Sequence, residues 1–288
     1  MENAIQYFLD RFYMSRMSTR MLLNQHTMLF GPEDFRDERP NRVGVIDTQC
    51  RLRALAQEAF DNAAFLCEEY YFASPDLEVT EVNHVNPGEP ISICYPPQHL
   101  YHVFFELFKN SMRATIETKA KGAAGDIPDV ELLIAKGESD ISIKISDRGG
   151  GIPRHVVDNL FTYLYSTAPR PSMHAHKAPL AGYGYGLPLS RLYARYFHGD
   201  LVLSSYEGYG TDAVIYLKTS DEESVELLPI FNKTTTKQYK SAVPAADWTD
   251  PSSTMNKMQH GGAPAPSGPS SATAAAPTEA TNSNSTAM

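Results

Sequence analysis

Apolar residues at Ile5, Phe8, Phe12, Met17, Met21 and Leu22 recur close to the period of a helix, and Gly31-Pro32 supplies a stop. The spacing predicts one long amphipathic helix over residues 4 to 29. After a polar stretch, Asp47 or Thr48 is placed to cap a second helix. Its Leu52, Leu55, Ala59, Phe60, Ala63, Leu66, Cys67 and Tyr70 return every three or four residues, ending before Ser74-Pro75. Joined by a loop, the two helices are expected to lie antiparallel. Such a pair leaves apolar flanks that further helices normally cover, so helices upstream of this chain are expected to be missing.

From about residue 76 the texture changes to short strand-like runs, Leu77 to Asn83 and Pro90 to Tyr95, followed by a helix from about Gln98 to Lys119. Val130 to Ala135 and the alternating Ile141, Ile143 and Ile145 read as one hairpin, Leu201 to Ser205 with Asp212 to Lys218 as another. Helical segments near 154 to 164 and 187 to 198 fall between them. The expected fold class is therefore α+β: an N-terminal helical bundle, here only two long helices, at 1–75, then a two-layer α/β sandwich at 76–230. Residues 231–248 read as a C-terminal tail. Residues 249–288 are dominated by Ala, Ser, Thr, Pro, Asn and Gly, cannot bury enough surface to offset their ordering entropy, and are expected to be a disordered low-complexity tail.

Composition narrows the function classes. Hydrophobic residues make up 42% and charged residues 20% of the 288, ordinary for a globular chain, and no apolar run approaches the length of a spanning helix. A formal charge of -9 argues against a nucleic-acid surface spread over the molecule. Cys50, Cys67 and Cys94 are odd in number and widely spaced, which suits a reducing compartment better than a disulfide framework or zinc site. The first residues form neither a signal peptide nor an Arg-rich transit peptide.

Four local patterns carry candidate chemistry. In the helix starting at Gln98, His102, Glu106, Asn110 and Arg113 share one face, while Val103, Phe104, Leu107 and Phe108 can pack on a sheet. An imidazole, carboxylate, carboxamide and guanidinium in one row suit phosphate and Mg²⁺, though a solvated stripe has the same pattern. Next, Ser146-Asp147 precedes Arg148-Gly149-Gly150-Gly151-Ile152-Pro153. A carboxylate at a strand end can accept from an exocyclic amine such as adenine's, and the glycines let backbone approach a ligand or simply turn. Third, Gly182-Tyr183-Gly184-Tyr185-Gly186 opens a helix at Leu187-Pro188, whose first amides favour phosphate; a plain linker is the common alternative. Fourth, Thr211 before the last strand can bond a ligand or start a turn.

Taken in order, these patterns resemble the N-box, two G-boxes and final threonine box of the ATP-binding superfamily shared by DNA gyrase, heat-shock chaperones, sensor histidine kinases and MutL. Within it, His99 through Thr115, Asp147 through Pro153, Tyr165-Ser166-Thr167-Ala168-Pro169 and Gly184 through Pro188 resemble the mitochondrial pyruvate dehydrogenase kinases, over residues 4 to 248. The resemblance implies a protein serine kinase that phosphorylates and inactivates the decarboxylase component of the pyruvate dehydrogenase complex. Glu106 would be the general base or orienting group, with His102 tuning it, and Asn110 would hold Mg²⁺. ATP would further meet Arg113, Asp147, Gly149, Gly151, Ser166, Thr167, Gly182, Tyr183, Gly184, Tyr185, Gly186, Leu187 and Thr211, under a lid at about 166 to 181. Ser15, Arg16 and Arg20 match positions of a pyruvate-sensing pocket, and Asp247-Trp248 matches a tail pair that serves dimers and the docking of lipoyl domains of the acyltransferase core. A homodimer in the mitochondrial matrix is implied, with neither nucleic acid nor a membrane span, and K⁺ beside the lid is left open. Branched-chain ketoacid dehydrogenase kinase is the near alternative, and a catalytically silent ATP-binding or dimerisation subunit the distant one. No HRD or DFG triplet and no Walker GK[ST] occurs, which sets aside the two commoner ATP folds.

Overall fold

The computed structural model describes residues 2–32, 40–122, 126–166, 183–219 and 226–227, all within one unit that ends at Ala245. Its centre is a five-stranded sheet in the order β3-β5-β6-β8-β7, built from β3 (Leu77–Asn83), β5 (Val130–Lys136), β6 (Asp140–Asp147), β8 (Gly210–Lys218) and β7 (Asp200–Tyr206). The alternation read from the sequence is the cause: Ile141, Ile143 and Ile145 are wholly buried on one side while Ser142 and Lys144 are only partly covered. Both expected hairpins form, β5 with β6 and β7 with β8, each antiparallel. β3 runs parallel to β5, a pairing that requires a crossover, and α3 (Pro97–Ala120) supplies it.

α3 and α5 (Gly186–Tyr196) form the second layer. Val103, Phe104, Leu107, Phe108 and Met112 of α3 and Leu192, Ala194 and Tyr196 of α5 join Leu132, Ile134, Ile143, Ile145 and Ile215 in one apolar core. Each such burial contributes roughly 1.5–3 kcal/mol, so the sandwich is held mainly by this layer contact. The fold class is thus α+β, as expected, with a two-layer sandwich in its second part.

Three expectations are corrected. Asp47 and Thr48 do not cap a helix: they lie in β2 (Ile46–Arg51), which pairs with β1 (Arg42–Val43) and β4 (Ser92–Tyr95) in a separate three-stranded sheet. Asp47 instead accepts from the Gln49 amide at 2.9 Å and pairs with Arg42, and α2 (Leu52–Tyr71) begins without a side-chain cap. The two long helices do not run as an antiparallel pair, because each has a better apolar partner elsewhere. α2 packs along α3, with Phe60 edge-on to Phe108, while α1 (Glu2–Phe30) packs on α5. The helix expected at 154 to 164 shrinks to α4 (Arg154–Val157), followed by turns that reach a positive φ at Leu164. The tails at 231–248 and 249–288 lie outside the described residues.

Candidate functional site

On α3 the expected row is present. Glu106 and Asn110 are partly buried one turn apart, and the carboxamide of Asn110 has no hydrogen-bond partner among the described residues, leaving its oxygen for a cation. The Glu106 carboxylate is engaged by Lys109, whose Nζ lies 2.7 Å from Oε1 while its cation also sits 4.8 Å above the Phe105 ring. That lysine stands three residues on, a helix neighbour that spacing alone identifies. His102 makes no hydrogen bond to Glu106: its Nε2 is buried without a partner. Burial lowers its pKa, against an opposing pull from the Glu106 charge, so its influence on the carboxylate is through space. Arg113 bonds Glu117 at 2.8 Å, and the Tyr71 hydroxyl donates to the same carboxylate at 2.9 Å. In this state the guanidinium is committed to α3 itself.

Asp147 ends β6 with its side chain inside the protein, directly across the ladder from Thr211. Oδ1 accepts the Gly149 amide at 2.9 Å and the Thr211 amide at 3.3 Å. Burial pushes its pKa up to about 6, although those two amides and the Ser111 hydroxyl favour the charged form. A buried acceptor fixed by backbone is well suited to an exocyclic amine. The loop behind it is held by contacts that composition does not show. Thr118 donates to the Gly149 carbonyl at 2.8 Å, and Ser205 shares a 2.8 Å bond with Thr211 while accepting the Ile152 amide. A Cβ at Gly149 would overlap Ala114 of α3, and Gly151, at φ +70°, backs onto the Tyr206 carbonyl. Only glycine allows strand end and helix to meet this closely.

The start of α5 completes the arrangement. Tyr185 is its N-cap and offers no side-chain cap, so the amides of Gly186 and Leu187 keep the unpaired character of a helix start, with Pro188 behind them. A Cβ at Gly186 would stand 2.6 Å from Glu106 Oε2, so the positive end of α5 abuts the candidate catalytic carboxylate. Leu164 and Gly184 are tied by a 3.0 Å backbone bond. Tyr13 of α1 lies against Tyr163 at 5.5 Å and Tyr185 at 6.2 Å, and Gln6 and Asp10 bond the amide and hydroxyl of Tyr163. Tyr183 is exposed, and so is Ser166, at the edge of the described stretch. Thr167, Gly182, Asp247, Trp248 and nearly all of the expected lid lie outside the described residues.

Ser15, Arg16 and Arg20 line a broad depression along α1 with Phe12, Leu23 and Asn24. The residues in hand fit Mg²⁺ with ATP. Among the described residues no group of three or more acidic, His or Cys side chains gathers to cage an ion, and one free carboxamide plus phosphate oxygens is a donor set Mg²⁺ accepts.

Comparison with known proteins agrees with this geometry. Residues 96–221 match the family described as histidine kinase-, DNA gyrase B-, and HSP90-like ATPase. Residues 1–47 match the family described as mitochondrial branched-chain alpha-ketoacid dehydrogenase kinase. The chain is 55% identical over 252 residues to the mitochondrial pyruvate dehydrogenase (acetyl-transferring) kinase of Drosophila melanogaster, covering 86% of this chain and 60% of that one. It is 54% identical to the Ascaris suum kinase of the same name, at 86% and 61%. It is 55% identical to isozyme 3 of Homo sapiens, also at 86% and 61%. The chain spans about 60% of the length of the relatives it matches.

Proposed function

We propose that the chain, which is 55% identical to mitochondrial pyruvate dehydrogenase kinases over 86% of its length and matches the histidine kinase-, DNA gyrase B-, and HSP90-like ATPase family over residues 96–221, is an ATP-dependent protein serine kinase. Its substrate in this reading is the decarboxylase component of the pyruvate dehydrogenase complex, which phosphorylation switches off. The observation that carries the reading is the convergence of Glu106 and Asn110 on α3, Asp147 at the end of β6 and the first turn of α5. Asp147 would receive the adenine amine with Thr211 beside it, the amides at Gly186 and Leu187 would take phosphate, and Asn110 would hold Mg²⁺, which would supply neutralisation of phosphate charge. Glu106 orients the acceptor serine and takes its proton. Phosphoryl transfer asks chiefly for positioning and charge neutralisation, and this set supplies both. Lys109 holds the Glu106 carboxylate in place beside the α5 start until substrate enters.

In the same reading residues 1–75 are the regulatory part and 76–230 the catalytic part, and the chain works in the mitochondrial matrix. Asp247 and Trp248 belong to a tail that serves a homodimer and the lipoyl domains of the acyltransferase core. The open face of the sheet, with Val202 at 40% and Tyr216 at 42% exposure, supports a dimer partner there. K⁺ near the lid is part of the same family resemblance. The match of residues 1–47 to the branched-chain kinase family motivates a second reading, with that dehydrogenase as substrate.

Transfer from labelled ATP to purified pyruvate and branched-chain dehydrogenase complexes decides between them. Asn110→Ala is expected to abolish transfer, a loss of at least about 100-fold given what preorganised electrostatic groups contribute. Nucleotide binding without transfer to either complex would leave a silent ATP-binding subunit.

A further inference from the structure

Arg113 gives only one edge of its guanidinium to Glu117. Nε donates to Oε1 at 2.8 Å and Nη2 to Oε2 at 3.4 Å, and Nη1 makes no hydrogen bond among the described residues. A guanidinium carries its N–H groups in a rigid plane, so a carboxylate on the Nε side leaves the fork formed by Nη1 and Nη2 for a second anion. The carboxylate is itself held. The Tyr71 hydroxyl donates to its Oε1 at 2.9 Å from the last turn of α2, which Phe72 closes in a left-handed conformation. Burial raises the Glu117 pKa, but the bonds from Arg113 and Tyr71 outweigh it and bring the carboxyl below its usual range. Burial and the bond to Glu117 push the Tyr71 hydroxyl up, so it stays a donor.

The pair sits on the stretch of α3 that meets the nucleotide elements. Arg113 follows Asn110 by three positions, and the next residue, Ala114, is the one that a Cβ at Gly149 would strike. Thr118, beside Glu117, donates to the Gly149 carbonyl. Along α3, Arg113 therefore lies between the candidate Mg²⁺ ligand and the anchor of the loop that follows Asp147. We propose that Tyr71 and Glu117 are positioning residues for the nucleotide, orienting the Arg113 guanidinium so that its free fork meets the phosphates. The proposal rests on the nucleotide-binding part of the reading above and is indifferent to the acceptor protein. Two effects of Glu117 oppose each other: its charge offsets that of Arg113, and its grip orders a long side chain before phosphate arrives. The Glu117 side chain is 34% exposed, so water screens its charge, whereas Arg113 is 15% exposed and its orientation is set by contact. The grip prevails.

Calorimetric titration of the full chain with ATP and Mg²⁺, and with adenosine by displacement, gives an affinity ratio that reports phosphate recognition apart from adenine recognition. Glu117→Gln, checked for folding by circular dichroism, is expected to lower the ratio of ATP to adenosine affinity about tenfold, the size of one charge-assisted hydrogen bond. Tyr71→Phe removes only the hydroxyl and is expected to lower it about threefold. In an Arg113→Lys chain, Glu117→Gln should move the ratio no further, because lysine has no fork to orient. A ratio left unmoved by either single variant, with ATP and adenosine weakened alike or not at all, overturns the proposal while the nucleotide site stands. So does a ratio that rises, which would make Glu117 a competitor of phosphate for Arg113, or an undiminished loss in the Arg113→Lys chain. If Glu117→Gln does not fold, the ratio in Tyr71→Phe decides. An unaltered chain that binds neither ligand overturns the nucleotide reading and the proposal with it.

Discussion

Asp147 stores a conflict between stability and recognition. Its carboxyl ionises near the usual carboxylate range in the unfolded chain and only at about 6 when folded, because burial opposes the charge. Between those values the unfolded state has fewer protons bound, so this residue makes stability fall as pH rises from about 4 to about 6, by on the order of 3 kcal/mol at ~1.4 kcal/mol per unit. Asp147→Asn is therefore expected to raise the midpoint of thermal unfolding at pH 8 and to match the parent near pH 4, while weakening ATP binding at least about tenfold. Calorimetry at the two pH values with nucleotide titration checks both. Asp200 has the opposite sign: Arg191 and Arg195 outweigh burial and hold it down to about 2. Its stabilisation is present above the usual carboxylate pKa and is lost as pH falls through about 2, so Asp200→Asn should flatten acid unfolding below pH 4. Glu106, Asn110 and Asp147 were legible because helix period and strand end place them without knowledge of neighbours. Lys109 on Glu106 was within reach of the same reasoning, whereas Ser205 under Thr211 and Thr118 under Gly149 depend on contacts between distant segments.

The elements differ in how much sequence specifies them. β6 announces itself by the alternation of Ile141, Ile143 and Ile145, β8 by its apolar run from Ala213 to Leu217, and α3 by its apolar face. β2 is half exposed and polar, so nothing in its residues distinguishes a strand from a loop until β4 lies alongside. The choice of α3 by α2 and of α5 by α1 is likewise a matter of which apolar faces meet, which periodicity does not contain. Two glycines test how closely the elements abut. Gly149→Ala would drive a methyl into Ala114, 2.7 Å from its backbone carbon, and is expected to cost about 1–3 kcal/mol by denaturant unfolding. Gly186→Ala meets only the mobile end of Glu106, so its unfolding midpoint should barely move while phosphoryl transfer falls at least about tenfold through a displaced carboxylate.

At the scale of the molecule, α1 presents Ile5, Phe8, Phe12, Leu22, Leu23 and Phe30 half or more exposed, the uncovered flank expected from the sequence. A row this apolar should bind an environment-sensitive dye in the folded state, and Phe8→Glu with Phe12→Glu should reduce that signal with thermal stability kept within about 0.5 kcal/mol. Undiminished dye binding would place the apolar surface elsewhere. Another face of α1 does its work through Tyr13, Gln6 and Asp10, which clasp Tyr163 and Tyr185 where Leu164 and Gly184 are joined. Through that junction a disturbance at Gln6 or Asp10 is passed by Tyr163 and the Leu164 to Gly184 bond to the first amides of α5, so the N-terminal helix acts as a lever whose tip rests one contact away from Glu106.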